Sequence, residues 1–299
     1  MTKFVSGLVM PENGLVLEPE RPLHAVVIPL FGCVSAGLED YLKDLSDHGL
    51  FIVLVDNNQH PTMSPISPPE QAELVANGNR GGIAGGFNRG IECALAAGST
   101  WITLLDQDSR IEADQIPLLP KALARYPGQQ MVIGPSILDE QRQERHGRWR
   151  GVTDGLDATR LLISSGTTFR SSDWPQLGSM HEGLFIDFVD HAWCFRAQAR
   201  GFQLLQHPLV TLRQQFGAEH PNRLCRVFGM QLYSPDRHFY GLRNMRWLCL
   251  QPYVPLDLKI KELLKMLVKP WLWLAFEPRR PENFNAIVAG LLASLPARY

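Results

Sequence analysis

Two aspartates, Asp106 and Asp108, end or directly follow a short apolar run, WITLLD at 101–106. In an extended chain, side chains two residues apart project to the same side. Two carboxylates on one side supply the oxygen ligands that Mg²⁺ or Mn²⁺ needs and leave positions for substrate phosphates. The carboxyl ends of strands in open α/β sheets are also where ligands bind. An ordinary turn that ends a strand would have the same composition, because Asp and Ser are common in turns.

A glycine-rich stretch, residues 77–90, has six glycines in fourteen positions. Such a loop lets backbone amides approach a ligand closely, and the N-terminus of the small helix that we expect after it favours anionic groups. No G-x-G-x-x-G follows the first predicted strand, and G-x-x-x-x-G-K-[ST] does not occur, so neither a dinucleotide-binding fingerprint nor a P-loop is indicated. A turn without any ligand is the alternative interpretation.

Two further aspartates, Asp187 and Asp190, lie among large apolar residues in FIDFVDHAW at 185–193, where the pattern changes from strand to helix. Burial raises the proton affinity of a carboxylate, which suits a general base toward a hydroxyl group. An acidic residue in the first turn of a helix, stabilised by the helix dipole, is the alternative. Residues 237–244 combine arginines with aromatic rings; arginine suits diphosphate oxygens, but a solvated helix face explains the same pattern.

The elements that must position these groups alternate along the chain. Continuous apolar runs at 24–31, 50–55, 101–106, 131–138 and 161–169 predict strands buried on both faces. Helical spacing in LEDYLKDLSDHG, which ends at Gly49, predicts a helix between the first two strands. The alternation predicts an α/β sandwich around a mostly parallel central sheet.

Composition narrows the class of protein. The 299 residues carry 29 basic and 30 acidic side chains, for a net charge of −1, so we expect no nucleic-acid partner. The five cysteines are odd in number and form no C-x-x-C pair, which indicates neither a disulfide framework nor a zinc site. Residues 1–22 lack an apolar signal segment and no long apolar run occurs, so we expect a cytoplasmic protein that does not span a membrane.

Taken in order, these segments resemble the bacterial rhamnosyltransferases of glycosyltransferase family 2. The similarity covers residues 24 to about 250, with a weaker echo in NFNAIVAGLLASL at 283–295. The matching motifs are VDNN at 55–58, the 79–90 loop, LLDQDS at 104–109, SSG at 164–166, FIDFVDHAWCFRA at 185–197 and YSPDRHFYGLRN at 233–244. Their joint occurrence in this order is far more specific than any single motif.

The resemblance implies a Rossmann-like GT-A fold, a dTDP-β-L-rhamnose donor and inverting transfer. Asp190 would be the catalytic base, and Asp106 and Asp108 would hold Mg²⁺ or Mn²⁺ with the diphosphate. The other residues implied to bind the nucleotide sugar are Asp56, Asn79, Gly82, Asn88, Gln107, Ser165 and Arg243. The implied acceptor is a hydroxyl of a cell-envelope glycan or glycolipid, such as lipopolysaccharide core or O-antigen. A different nucleotide-sugar donor, or a catalytically inactive scaffold that binds sugar nucleotides, is the alternative.

Two departures from the family pattern bear on these expectations. Gln214 stands where relatives often carry a histidine that serves as a further metal ligand, so we expect weaker metal dependence. The first strand ends IPLFG instead of threonine-tyrosine-asparagine, which changes the expected contacts near the nucleotide base.

The chain divides into a predicted catalytic domain, 1–250, and a helical region, 251–299. The catalytic domain has a nucleotide-sugar half, about 20–110, and an acceptor half, about 111–250. In the helical region, Lys261, Lys265 and Lys269 share one helical face. We expect this face to lie on the anionic cytoplasmic surface of the inner membrane, with Trp271, Leu272, Trp273 and Phe276 toward the acyl chains. A helix packed on the catalytic domain, interrupted at Pro270, is the alternative.

Overall fold

The computed structural model describes residues 24–34, 37–59, 66–139, 144–146, 151–152, 155–214, 220–227 and 230–297. Residues 1–22, where we expected no signal segment, lie outside the described residues. In chain order the strands are β1 (His24–Leu30), β2 (Phe51–Asp56), β3 (Ala72–Ala76), β4 (Trp101–Leu104), β5 (Met131–Asp139), β6 (Glu144–His146), β7 (Gly151–Val152), β8 (Leu156–Ala158), β9 (Thr168–Arg170) and β10 (Gln203–Gln214). The helices are α1 (Leu38–Asp47), α2 (Gly82–Ala96), α3 (Leu118–Ala124), α4 (Trp174–Leu177), α5 (Val189–Ala199), α6 (Arg223–Val227), α7 (Pro235–Cys249), α8 (Leu256–Phe276) and α9 (Arg280–Leu292).

The strands in the described part of the chain form one mixed sheet in the order β3-β2-β1-β4-β9-β5-β10-β8-β7, with β6 paired to β5. Neighbours β3, β2, β1 and β4 are parallel, as are β5 and β10. Strand β9 runs antiparallel between β4 and β5. The parallel β1–β4 half therefore comes from the predicted nucleotide-sugar half of the chain, and the same sheet continues into the acceptor half.

An apolar core covers each face of this sheet. Alternate residues of β1 point to opposite faces: Val27 packs in the cluster under α2 and α5, whereas Val26 and Ile28 pack in the cluster under α1 and α3. The central strands are therefore buried on both sides, which is why they appear in the sequence as continuous apolar runs. This three-layer arrangement confirms the predicted α/β sandwich.

The glycine-rich stretch differs from the prediction, because much of it is helix. Helix α2 begins at Gly82, and its glycines let the helix lie close to the sheet. A Cβ atom added to Gly90 would lie 2.2 Å from Val27 Cγ1, and one added to Gly85 would lie 1.9 Å from the Arg80 carbonyl oxygen. Close packing thus overrides the low helix propensity of glycine. The strand predicted at 161–169 was also largely wrong, since only its end, from Thr168, pairs in the sheet.

Helices α7, α8 and α9 pack on one another through a separate small cluster that includes Trp273 and Ile287. Helix α8 continues through Pro270. The interruption that the sequence indicated at this proline does not occur. The buried pair His238 and Glu277, with Nε2 and Oε2 2.7 Å apart, joins α7 to the end of α8. Within the described residues, no helix combines the length and apolar composition needed to cross a bilayer.

Candidate active site

The Asp106–Asp108 turn lies at the carboxyl end of β4, in the middle of the sheet. The backbone N–H of Leu105 still donates to Val27 of β1, at 2.9 Å, and the chain then leaves the sheet. The N–H of Asp106 donates to the buried Ser165 Oγ at 3.2 Å, which fixes the start of the turn. The Gln107 side chain bonds both the N–H and the carbonyl of Phe31, at 3.0 and 2.8 Å. These contacts hold the two carboxylates at the sheet edge where ligands bind in α/β proteins.

Asp190 lies in the first turn of α5, directly after a strained segment. Phe185, Asp187 and Phe188 all have left-handed backbone conformations, with φ of 67°, 62° and 63°. Such conformations persist in non-glycine residues only where the surroundings impose them. The Asp190 Oδ1 accepts from the His191 N–H at 2.8 Å and lies 2.9 Å from His191 Nδ1. Asp190 Oδ2 has no hydrogen-bond partner among the described residues.

One cavity of about 710 Å³ brings the predicted acidic residues together. Asp106, Asp108 and Asp190 all line it, although they are distant in the sequence. Gln214 reaches the same cavity because Arg110 and Arg213 pair their backbones, at 2.8 and 3.0 Å, and join the aspartate turn to the end of β10. The sequence prediction that these groups converge is consistent with this geometry.

The electrostatics of the cavity favour a cation. Burial, together with the nearby carboxylates of Asp108 and Asp190, raises the pKa of Asp106 to about 7. The buried Gln214 Oε1 has no hydrogen-bond partner among the described residues. Carboxylate and amide oxygens are ligands of hard divalent cations. The donor set therefore fits Mg²⁺ or Mn²⁺.

The protein supplies an incomplete shell for such an ion. In the described part of the chain, no group of three or more His, Cys, Asp or Glu side chains is placed to hold a metal. Two carboxylates with an amide oxygen leave coordination positions for diphosphate oxygens and water, as Mg²⁺ sites in phosphate-binding enzymes do.

Asp190 has a different environment from Asp106. Burial acts to raise its pKa, but the charge of His191 and the hydrogen bonds from this residue outweigh burial and lower the pKa below its usual value. Reciprocally, burial acts to lower the pKa of His191, and Asp190 outweighs it, so that the pKa of His191 is raised. Asp190 is therefore ionised near neutral pH and can accept a proton.

The other predicted donor-site residues fall into two groups. Asp56, at the end of β2, accepts from the N–H and the side-chain amide of Asn58 at 3.1 and 2.8 Å. Asn79 has a left-handed φ of 54° in the turn before α2. Ser165 contacts the aspartate turn directly, as described above. These positions stay predictions as nucleotide contacts.

Gly82, Asn88 and Arg243 are occupied by contacts within the protein. A Cβ on Gly82 would lie 2.2 Å from the Phe185 carbonyl oxygen, so the glycine admits this loop and not a ligand. The buried Asn88 exchanges hydrogen bonds with the backbone of Met180, at 2.8 and 2.9 Å. Of all the residues predicted to bind the nucleotide sugar, Asp106 and Asp108 line the cavity that holds the aspartates, and the others do not: Asp56, Asn79, Gly82, Asn88, Gln107, Ser165 and Arg243. Nucleotide contact by these three residues also stays a prediction.

The N-terminus of α2 is likewise not free to bind an anion. The N–H of Ile83 donates to the Phe185 carbonyl at 2.9 Å. Residues 182–185 of the same chain therefore occupy the position beside these backbone amides where we expected a ligand.

Sequence reasoning missed a set of buried asparagines that shape the cleft. Asn77 Nδ2 donates to Asn57 Oδ1 at 2.7 Å, and Asn57 Nδ2 donates to the Gly82 carbonyl at 3.0 Å. Asn244 donates to the carbonyls of the strained 184–187 segment. Their signal in the sequence is weak: asparagine directly after a strand, or alone within a helix, is read first as a turn or surface residue.

The lysine face of α8 lies differently from the membrane expectation. Lys265 and Lys269 line the cavity, and only Lys261 of the three is fully exposed. Spacing places the lysines on one face, but the packing of Pro270 and Trp273 on the protein determines where this face points. Trp273, expected near the acyl chains, is buried.

Comparison with solved structures defines the class of protein. The similarity to the solved structures is at the level of the fold. GalNAc-T7, crystallised with UDP, GalNAc and Mn²⁺, matches with a TM-score of 0.50 and 14% identity, over 87% of this chain and 57% of that one. The S. aureus protein TarS matches with a TM-score of 0.50 and 12% identity, over 91% of this chain and 49% of that one. The fold is the GT-A fold of glycosyltransferases. The GT-A fold and the acidic cavity, together with a relative found by sequence comparison, identify the chain as a glycosyltransferase.

Sequence comparison points to a narrower relative. The dTDP-rhamnosyl transferase RfbF of Shigella flexneri is 28% identical over 285 residues, which cover 90% of this chain and 94% of the relative. No family model matches the chain. The resemblance to bacterial rhamnosyltransferases, predicted from the motifs, is thereby confirmed.

Proposed function

We propose that this enzyme transfers L-rhamnose from dTDP-β-L-rhamnose to a hydroxyl of a bacterial cell-envelope glycan, with inversion at the anomeric carbon. The observation that carries the proposal is the convergence of Asp106, Asp108 and Asp190 on one cavity. The relative that is named as a dTDP-rhamnosyl transferase supports the choice of donor.

The donor side of the cavity holds the diphosphate. Asp106 and Asp108, with Gln214 Oε1 beside them, would hold Mg²⁺ or Mn²⁺. A divalent cation bound there supplies positive charge that stabilises the leaving diphosphate, worth several kcal/mol. Ser165 and Gln107 keep the turn that carries these carboxylates in register with the sheet.

The acceptor side holds the base. Asp190 Oδ2 takes the proton of the acceptor hydroxyl while the hydroxyl oxygen attacks the anomeric carbon from the face opposite dTDP. The new C–O bond forms as the bond between the anomeric carbon and the diphosphate breaks, and dTDP leaves with its electron pair. His191 holds Oδ1 of the same carboxylate, so the orientation of the base is fixed before the substrate arrives.

A donor panel tests the proposal. Purified protein would be incubated with Mg²⁺ or Mn²⁺ and with dTDP-β-L-rhamnose, UDP-sugars or GDP-sugars, and release of the nucleoside diphosphate would be measured. We expect dTDP release well above the other donors. Preference for a UDP- or GDP-sugar would establish a different donor, which the unusual end of β1 makes the leading alternative. Binding of dTDP-rhamnose without turnover, with or without envelope glycans, would indicate an inactive scaffold instead.

The proposed location is the cytoplasm, with contact to the inner face of the inner membrane. The exposed side of α8 supports this contact, because Ile260, Leu264, Leu267 and Trp271 follow one another along it. We expect the double variant Leu267→Gln, Trp271→Gln to sediment less with vesicles that contain phosphatidylglycerol. The matched control is Leu209→Gln, an exposed leucine on β10. Equal sedimentation of the double variant and the control would exclude this surface as a membrane contact.

A further inference from the structure

The wall of the cavity that α7 and α8 form is basic. Arg237 comes from α7, and Lys265 and Lys269 come from α8. The aromatic side chains Tyr233 and Trp273 line the same wall. Neither the reaction at the anomeric carbon nor the metal site uses these cations.

Two of the three cations have a carboxylate partner. Arg237 Nη2 lies 2.6 Å from Asp187 Oδ1. Lys265 Nζ lies 2.5 Å from Oε1 of Glu262, whose side chain is only 5% exposed. Lys269 has neither a hydrogen bond nor an ion pair among the described residues. The wall therefore has three cationic groups and two carboxylate partners, which leaves the positive charge of one lysine unbalanced.

The surroundings of Lys269 disfavour its charge. Burial and the positive charges of Lys265 and Lys261 lower the pKa of this lysine, and they outweigh the carboxylates of Glu262 and Asp187, which act to raise it. An anion that enters the cavity would relieve both effects, because it replaces lost solvation and neutralises the repulsion.

Contacts and charges associate the basic wall with Asp190 more than with Asp106. Arg237 pairs with Asp187, three residues before Asp190. The pKa of His191, whose Nδ1 lies 2.9 Å from Asp190 Oδ1, is influenced by the charges of Glu262 and Lys265. The charges that influence the pKa of Asp106 are those of Asp108 and Asp190. This pattern favours a role of the lysines toward the acceptor over one toward the donor diphosphate.

We propose that this wall is an acceptor subsite for an anionic group, and that Lys269 is its central ligand. The acceptor would then be a glycan that carries a phosphate or a carboxylate close to the hydroxyl that is glycosylated. This inference rests on the proposed function and specifies the acceptor class, which the comparisons leave open.

Binding of small anionic sugars to the protein loaded with Mg²⁺ and dTDP tests the inference, since the donor site is then filled. The probes are α-D-glucose 1-phosphate, methyl α-D-glucuronide and methyl α-D-glucoside, measured by calorimetry. We expect one or both charged probes to bind roughly tenfold more tightly than the neutral one, as a charge-assisted hydrogen bond provides. Comparison of the affinities for the phosphate probe and the carboxylate probe shows which of the two anions the subsite prefers.

The variant Lys269→Met should remove the preference for charged probes and leave dTDP affinity unchanged. Lys261→Met is the matched control, because this lysine lies on the same helix but is exposed. Equal affinity for all three probes, or an equal effect of both variants, would overturn the subsite. Binding of the charged probes to the protein without dTDP, and not to the loaded protein, would also overturn it, by assigning the lysines to the donor. Failure of dTDP itself to bind is a separate result that would refute the proposed function.

Discussion

Asn244 holds the strained segment that precedes helix α5, which carries Asp190. Its side-chain amide, fully buried on α7, lies 2.8, 2.7 and 3.0 Å from the carbonyl oxygens of Leu184, Ile186 and Asp187. One NH₂ group thus serves three carbonyls across a stretch whose backbone is left-handed at three non-glycine residues. This contact explains how the chain supports the conformation that presents Asp190 to the cavity.

Replacement of Asn244 by alanine should weaken both stability and activity. Loss of the donor removes the Asn244 hydrogen bonds to the part-buried carbonyls of Ile186 and Asp187, which costs about 1–3 kcal/mol for an unpaired group. We expect a lower free energy of unfolding in urea and a loss of dTDP release, because the Asp190 segment relaxes. Asn285→Ala, at an exposed position on α9, is the control and should change neither measurement. An Asn244→Ala variant with wild-type turnover would show that the segment keeps its geometry unaided.

His24 makes stability depend on pH. This buried residue of β1 has Nε2 2.7 Å from Thr103 Oγ1, and burial lowers its pKa to about 4. The unfolded chain, with a histidine pKa of about 6.5, binds a proton between these values that the native state does not. The free energy of unfolding is therefore unaffected by protonation of His24 above pH 6.5. As the pH falls to 4, protonation of this histidine in the unfolded chain lowers the free energy of unfolding by about 3 kcal/mol.

Urea unfolding at several pH values checks this expectation. The variant His24→Gln cannot take up the proton, so its free energy of unfolding should fall less steeply between pH 6.5 and 4 than that of the wild type. Parallel slopes for the two proteins would show that other groups account for acid destabilisation.

The sequence alone pointed to Asp106, Asp108 and Asp190 because local chemistry marked them. Each follows a buried strand or begins a helix among large apolar residues, and a carboxylate at such a position indicates a ligand, a proton transfer or a helix cap. Asn244 carried no such mark, since a single asparagine in a helix is ordinary. Its role depends on residues 184–187, which the sequence does not show to be neighbours.

At the scale of elements, helix α2 depends on the absence of side chains where it meets the sheet. Gly90 packs against Val27 and Val55, and a Cβ there would lie 2.2 and 2.9 Å from their methyl groups. A glycine in α7, Gly241, is the opposite case, because nothing lies within 4 Å of its added Cβ.

Alanine at these two helical glycines should therefore have opposite effects. Gly90→Ala should destabilise the protein by about 1–3 kcal/mol, as overpacking does. Gly241→Ala should stabilise it by about 1 kcal/mol, since alanine favours the helix. Thermal or urea unfolding of both variants measures the difference, and a destabilisation that is equal in the two would contradict the packing argument.

The same contrast explains which elements the sequence could predict. Helix α1 and strands β1 and β2 have regular spacing and were predicted close to their observed bounds. Helix α2 was assigned to a loop through residue 90 because its glycines indicate turns, and only their close contacts with β1 and β2 reveal the helix. The predicted direction of the α8 lysine face was wrong for a related reason. The spacing of the lysines shows that they share one face of the helix, but tertiary packing determines where this face points.

In the whole molecule, the parallel half of the sheet carries Asp106 and Asp108, and α5 and the C-terminal helices complete the cavity around Asp190. The domain division predicted at residue 250 stays a prediction, although α8 contributes Glu262, Lys265 and Lys269 to the cavity wall. The C-terminal region is therefore part of the site and not only an appendage.

Paired measurement of dTDP binding and dTDP release in Asp190→Asn and Asp108→Ala tests the division of labour in the cavity. For Asp190→Asn we predict release from dTDP-β-L-rhamnose about 10² to 10⁴ times slower, with Mn²⁺-dependent dTDP affinity unchanged, because only the base is lost. For Asp108→Ala we predict that Mn²⁺-dependent dTDP binding itself weakens. Normal turnover by Asp190→Asn, or dTDP affinity that drops in this variant and not in Asp108→Ala, would contradict the assignment of base and metal ligands.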